Sequence, residues 1–343
     1  MVSYLVVGLG ISGWSFVRLL REKGESFIVV DDGKPGASHV SAGFYNPVIL
    51  KRFTPAWKAH EFLAYALEQY KKAEKDYGRR LVYPLKIYRK LASVEEQNQW
   101  AVASQRPVLS HYMRNVVFDP LEGIEAPFGF GVLENTGMVD LQSLLQEERN
   151  RLKKEKRLIE ENFEYSTLII KDKEVEYKGI QAKHVVFAEG YGVKRNPFFN
   201  YLPLTGTKGE LLEVELARSL DKIIKSGIFL APIPWKNTSL AGATYEWKDK
   251  TNIPTAQAKE HLTKKLKKLY KLPFRFVQQY AGIRPTVIDR RPLIGSHPHE
   301  KTLFVLNGMG TRGVIYAPKM AEYLWRFIAH NDSLPLHINI SRF

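Results

Sequence analysis

The residues most suited to chemistry come first in the chain. Gly8-Leu-Gly10-Ile11-Ser12-Gly13 fits the spacing G-x-G-x-x-G. It follows the apolar run Tyr4-Leu-Val-Val, which reads as a buried strand, and precedes a helix expected over Trp14–Lys23. The spacing suits a pyrophosphate: Gly8 permits a tight turn, Gly10 lets the backbone approach the anion, and Gly13 lets helix and strand pack closely. The helix N-terminus adds partial positive charge, and Ile11 and Ser12, between the glycines, are expected to join them at the cofactor. Asp31, with Asp32 beside it, ends a second apolar run, Ser26–Val30, 18 residues beyond Gly13. An acid there accepts hydrogen bonds from ribose hydroxyls. The pattern predicts dinucleotide binding and leaves NAD and FAD open.

A second chemistry-bearing residue is Arg284, set between Gly282 and Pro285. A guanidinium binds a carboxylate through two parallel hydrogen bonds, a geometry lysine cannot copy. By residue type alone it is one of 51 lysines and arginines. Tyr245, after Gly242-Ala-Thr, offers a hydroxyl to a substrate or is an ordinary sheet aromatic. His39, His111 and His297 are not spaced as ligands of one site, so no metal is expected. Cysteine is absent, which excludes disulfides, thiolate nucleophiles and cysteine metal sites.

The elements that must position these residues follow from periodicity. An opening βαβ unit of about 30 residues leads into an irregular Gly/Ser/Pro-containing stretch, Gly33–Pro55, whose length points to function. A long helix is expected over Ala56–Tyr77 and a strand over Lys86–Leu91. Next come a charged helix, Ser143–Lys156, and strands at Thr167–Ile170, Glu174–Tyr177 and His184–Phe187. Lys208–Glu215, Ile228–Pro232 and Ser239–Thr244 read as antiparallel strands, and Ala258–Tyr270 as a basic amphipathic helix. A last buried strand, Thr302–Leu306, enters a glycine cluster and a final helix, Ala317–Ala329. The expected fold class is α/β: a Rossmann-type nucleotide domain of residues 1–85, 145–205 and 280–343, interrupted by an antiparallel-sheet substrate domain of 86–144 and 206–279.

Four further segments carry a resemblance. Ala37-Ser38-His-Val-Ser41-Ala42-Gly43-Phe resembles the small-residue loop along the flavin in the glycine oxidase and D-amino-acid oxidase (DAO-type) family. Ala182–Gly190 is similar to that family's strand and glycine turn near the cofactor, with Ala188 and Gly190 at the turn. Gly282–Gly295 resembles its most specific signature, and Asn307–Pro318 its closing turn at the flavin ring. Order and spacing match over nearly the whole chain. The resemblance implies an FAD-dependent oxidoreductase that takes hydride from the α-carbon of an amine or amino acid. It implies that Ser38, Ser41, Ala42 and Gly43 line the cofactor and that the backbone of Phe163 meets adenine. Met309, Gly310, Thr311, Arg312, Gly313 and Val314 would approach the pyrimidine end of the flavin, and Arg284 would hold the substrate carboxylate. Thr311 stands where glycine oxidases tend to carry a second arginine, Arg312 lies one place off, and Phe229 replaces an expected tyrosine. Without cysteine, the cysteinyl tether of sarcosine oxidases is impossible, so FAD is expected to be held non-covalently.

With 44% hydrophobic and 25% charged residues, the composition is that of an ordinary globular chain. No apolar run reaches the roughly 18 residues of a spanning helix and no signal-peptide pattern is present, so no stable membrane insertion and a cytoplasmic location are expected. The net charge of +15 reflects either lysines on solvated helix faces or an anionic partner. Tyr45-Asn-Pro-Val48 and Lys51-Arg52-Phe53 either contact an anionic substrate or cap the following helix. Two alternatives stand beside the oxidase reading: the flavin domain of a tRNA wobble-uridine-modifying enzyme, with tRNA as partner, and a non-catalytic flavin-binding module.

Overall fold

The computed structural model describes residues 1–343. Its first sheet is built on the strand Val2–Val7, whose last four residues are buried. Phe27–Val30 and Ile180–Phe187 flank it in parallel. Leu158–Ile159 pairs with Phe27–Val30, and Leu303–Asn307 with Ile180–Phe187, again in parallel. In chain order these five strands lie 3-2-1-4-5, the doubly wound arrangement. Its ligand crevice opens where the order reverses, between Val2–Val7 and Ile180–Phe187. Burial on both faces explains why these strands read as continuous apolar runs. Val175–Tyr177 with Leu168–Ile170, and Leu293–Ser296, extend the sheet in antiparallel fashion.

Helices Ile11–Glu22, Ala59–Tyr77 and Gly313–His330 pack on one another against this sheet. Trp14, fully buried, stacks on Tyr70 at 5.4 Å between ring centroids. The opposite face is closed by aromatic packing among Phe163, Tyr177, Phe187 and Phe199.

The second sheet has eight strands in the order Phe274–Arg284, Thr207–Leu216, Ser239–Gly242, Phe229–Pro232, Ile223–Lys225, Ile87–Lys90, Phe130–Leu133 and Met113–Val117. Its pairs are antiparallel except Ile223–Lys225 against Ile87–Lys90, where two distant stretches of chain meet in parallel. Side chains alternate across it. Leu212, Val214, Ile224 and Leu230 pack under the helix Ala256–Leu269, while Leu211, Ile223 and Phe229 face the first sheet. The chain returns through Gly137–Val139, which pairs with Phe44–Tyr45 and Val82–Pro84. The boundary expected at residue 145 therefore falls inside the helix Leu141–Lys154, whose N-cap Asp140 accepts the Ser143 N–H at 3.0 Å.

Several elements were not foreseen. The helix Val94–Ser104 has little amphipathic pattern and buries only Trp100, Ala103 and Ser104. The short strands Phe130–Leu133 and Gly137–Val139 are buried throughout and show no alternation. The final helix starts at Gly313, four residues before the expected Ala317, so Pro318 lies inside it rather than in its first turn. Proline has no N–H for the carbonyl four residues back. That carbonyl, on Val314, instead accepts the hydroxyl of fully buried Tyr70 at 2.8 Å.

Candidate active site

A cavity of about 760 Å³ runs between the two sheets at the carboxyl ends of the parallel strands. That is toward the upper end of the roughly 300–1,000 Å³ typical of ligand pockets. At one end stands the glycine fingerprint. Gly8 has φ +98°, and a Cβ there would sit 2.8 Å from the Ala188 carbonyl oxygen, so only glycine lets the two central strands end this close. Gly10 caps the helix Ile11–Glu22, whose first turn holds no acidic residue. The Ile11 N–H donates to the Ser38 hydroxyl at 3.0 Å, tying the loop to the helix start. Asp31 accepts the Leu9 N–H at 2.8 Å through Oδ2 and the Gly33 N–H at 2.9 Å through Oδ1. Its Oδ1 also accepts from the Arg149 guanidinium. The sequence carried no signal for Arg149, one cation among many on a charged helix.

Around this end the cavity wall includes Ile11, Ser12, Asp32, Ser38, Ser41 and Ala42, and on the far side Phe163, Ala188 and Gly190. Phe163 stacks face to face on Tyr177 at 4.3 Å. Glu189 lies between Ala188 and Gly190. Burial raises its carboxyl above the usual range, although it accepts hydrogen bonds from Asn196 at 2.8 Å and from Tyr165.

Arg284 and Tyr245 line the other end, with Met309, Gly310, Thr311, Gly313 and Val314. Arg284 ends the strand Phe274–Arg284, where Gly209 on the neighbouring strand leaves space for it. A Cβ at Gly209 would come within 2.0 Å of an Arg284 nitrogen. The guanidinium donates to the Thr244 carbonyl at 3.3 Å and lies 4.6 Å from the centre of the Tyr245 ring. Burial lowers its pKa, partly offset by the Tyr245 hydroxyl. No acidic side chain pairs with it. Tyr245 itself is 63% exposed and sits at the mouth.

Three expected cofactor-lining residues stand off the cavity. Gly13 packs its Cα against the Gly8 carbonyl, where a Cβ would approach to 1.9 Å, so it serves the crossing of helix and strand. Gly43, at φ +69°, lies against the Val139 carbonyl, leaving no room for a side chain, and accepts the Val139 N–H at 2.9 Å. Arg312 is the N-cap of the final helix. Its side chain is partly buried near Tyr316, and its Nε has no partner. Lys51 and Arg52 project outward on a turn, while Leu50 and Asn46 of the same loop reach the cavity.

Lys225 also lines the cavity, and no motif in the sequence singles it out. It lies opposite Phe229, with its ammonium 5.6 Å from that ring. Phe229 in turn meets Phe44 edge to face at 4.8 Å. Burial, reinforced by Arg89, Arg284 and Lys265, pushes the Lys225 pKa down to about 8. No group of three or more His, Asp or Glu residues is placed to hold a metal, and no helix is long and apolar enough to cross a membrane.

The shape and donors fit a dinucleotide: a crevice at the strand-order reversal, a helix start free of acids, an acid at the second strand's end, and a cavity continuing to an arginine. The comparisons agree. A profile described as FAD-dependent oxidoreductase (DAO) matches residues 3–326. The fold is similar to that of glycine oxidase from Bacillus cereus, with a TM-score of 0.78 at 18% identity over 97% of this chain and 96% of that one. Iminodiacetate oxidase from a Chelativorans species gives 0.77 at 16% identity, covering 97% of each chain. L-α-glycerophosphate oxidase from Mycoplasma pneumoniae, solved with FAD bound, gives 0.75 at 16% identity over 96% and 94%. The profile spans nearly all of the chain, and the protein belongs to the FAD-dependent oxidoreductase (DAO) family.

Proposed function

We propose that the protein oxidises the carbon–nitrogen bond of a small amine or amino acid bearing a carboxylate, and that Arg284 holds that carboxylate. The observation that carries this reading is a guanidinium on the cavity wall, desolvated and without any acidic partner. A half-buried cation without a counter-charge bears part of the desolvation cost of a buried one, and a ligand carboxylate removes it. The activities of two fold neighbours, glycine oxidase and iminodiacetate oxidase, are of this class.

In this reading the first sheet, with residues 1–85, 145–205 and 280–343, holds FAD, and the second, from 86–144 and 206–279, roofs the substrate. Gly8, Gly10, Ile11 and Ser12 would hold the pyrophosphate, Asp31 the ribose, and Met309 to Val314 the ring. FAD supplies a two-electron acceptor for hydride. The substrate loses hydride from its α-carbon and a proton from nitrogen, and water then hydrolyses the imine product. The carboxylates lining the cavity, Asp31, Asp32, Glu161 and Glu189, all lie on loops of the first sheet. None stands on the sheet that carries Arg284, so the amine enters already neutral and the protein's contribution is orientation and exclusion of water.

The test is anaerobic stopped-flow reduction by an amino acid in wild type and Arg284→Met. A charge-assisted hydrogen bond contributes about 1.5–3 kcal/mol, so the variant should need roughly 10–100-fold more substrate. Arg284→Lys should recover only part of that. An unchanged substrate dependence would overturn the role.

A further inference from the structure

We infer that the substrate carries a second anionic group, remote from the carboxylate held by Arg284, and that Lys225 receives it. This rests on the amine-oxidation reading and specifies its substrate class as an amino or imino dicarboxylate.

Ile223 and Lys225 are two apart on one strand and so share the face that looks into the cavity. Ile87 and Arg89 lie beside them on the parallel neighbour. Arg89 is already committed, its guanidinium bonded to Glu96 at 2.6 Å. Lys225 has no such partner: no carboxylate forms an ion pair with it and no acceptor takes a hydrogen bond from it. The charged groups that act on it are Arg89, Arg284 and Lys265, all cationic, and the flanking ring of Phe229 is apolar. The four carboxylates lining the cavity belong to the first sheet's loops.

The substrate end therefore presents two cationic heads, Arg284 and Lys225, on one sheet with no acid among them. Placing two like charges in a shared, partly dry cavity is unfavourable, and one carboxylate neutralises only one of them. A ligand with two anionic groups satisfies both. The Lys225 ammonium is a point charge on a flexible stem, suited to a distal carboxylate whose position varies more than that of the one fixed by Arg284's planar fork.

The experiment titrates the FAD-loaded protein at pH 7 with non-reacting carboxylates, following perturbation of the flavin absorbance. Butyrate and pentanoate are compared with succinate and glutarate, in wild type, Lys225→Met and Lys225→Arg. Expected is at least tenfold tighter binding of the dicarboxylates by wild type. Lys225→Met should lose tenfold or more for dicarboxylates and less than threefold for monocarboxylates, and Lys225→Arg should keep most of the preference. Retained flavin absorbance reports that each variant is folded. Equal binding of both classes by wild type would overturn the second-anion site while leaving Arg284's role standing. Equal losses for both classes in Lys225→Met would also overturn it, by assigning the charge to the flavin rather than the ligand. If neither class perturbs the flavin, the carboxylate site falls, and this inference with it.

Discussion

At the scale of single residues, the structure separates chemistry that motif spacing reveals from chemistry that only register reveals. Gly8, Gly10 and Asp31 stand where their spacing placed them because a tight turn and a strand end are local features. Arg284 was legible only through the segment around it. Lys225 was not legible at all: one lysine among 51 basic residues becomes distinctive only when pairing sets it opposite Phe229 and inside a cavity without local acids. Gly209 is a similar case, since its value lies in the space it leaves. Gly209→Ala would put a methyl group where the Arg284 guanidinium stands, 2.0 Å from one of its nitrogens. We expect carboxylate affinity to fall at least tenfold with flavin content preserved, measured by the same absorbance titration. Unaltered affinity would show that Arg284 can be moved aside without consequence.

At the scale of elements, the strands and helices expected from the sequence lie within a few residues of their places, but the strands Ile223–Lys225, Phe274–Arg284 and Leu293–Ser296 were missed along with Phe130–Leu133 and Gly137–Val139. The failures have physical causes. Val94–Ser104 has a weak apolar stripe, and the final helix, expected to start at Ala317, begins at Gly313 within the glycine cluster. The final helix tolerates Pro318 because Tyr70, from the helix Ala59–Tyr77, supplies the hydrogen bond that the proline cannot. This makes a prediction about coupling. Tyr70→Phe leaves the buried Val314 carbonyl without its partner and should cost about 1–3 kcal/mol of unfolding free energy. In a Pro318→Ala background the helix regains its own donor, so the same change should cost less. A double-mutant cycle by urea unfolding measures the difference, and strict additivity would count against this division of labour.

At the scale of the whole molecule, the sheet order could not be read directly. Five parallel strands come from distant parts of the chain, and their 3-2-1-4-5 order depends on pairings that local pattern does not encode. What the sequence did disclose was that buried parallel-type strands recur near the start, middle and end, with a different sheet between. The irregular stretch Gly33–Pro55 resolves into a short helix, Ala37–Val40, and two-residue strands, and much of it lines the cavity. The net charge of +15 has no single focus in sequence, yet within the cavity it concentrates on the second sheet, where Lys225 and Arg284 face the same space.

The central claim is that a bound flavin in this cavity accepts electrons from a carboxylate-bearing amine. The most direct measurement is the visible spectrum of the purified protein, taken anaerobically before and after adding glycine, sarcosine, iminodiacetate and D-aspartate. The account predicts a two-banded flavin spectrum that is bleached by at least one of these, most readily by a dicarboxylate. A flavin spectrum left intact by all amino acids, or a colourless protein that cannot be reconstituted with FAD, would contradict it.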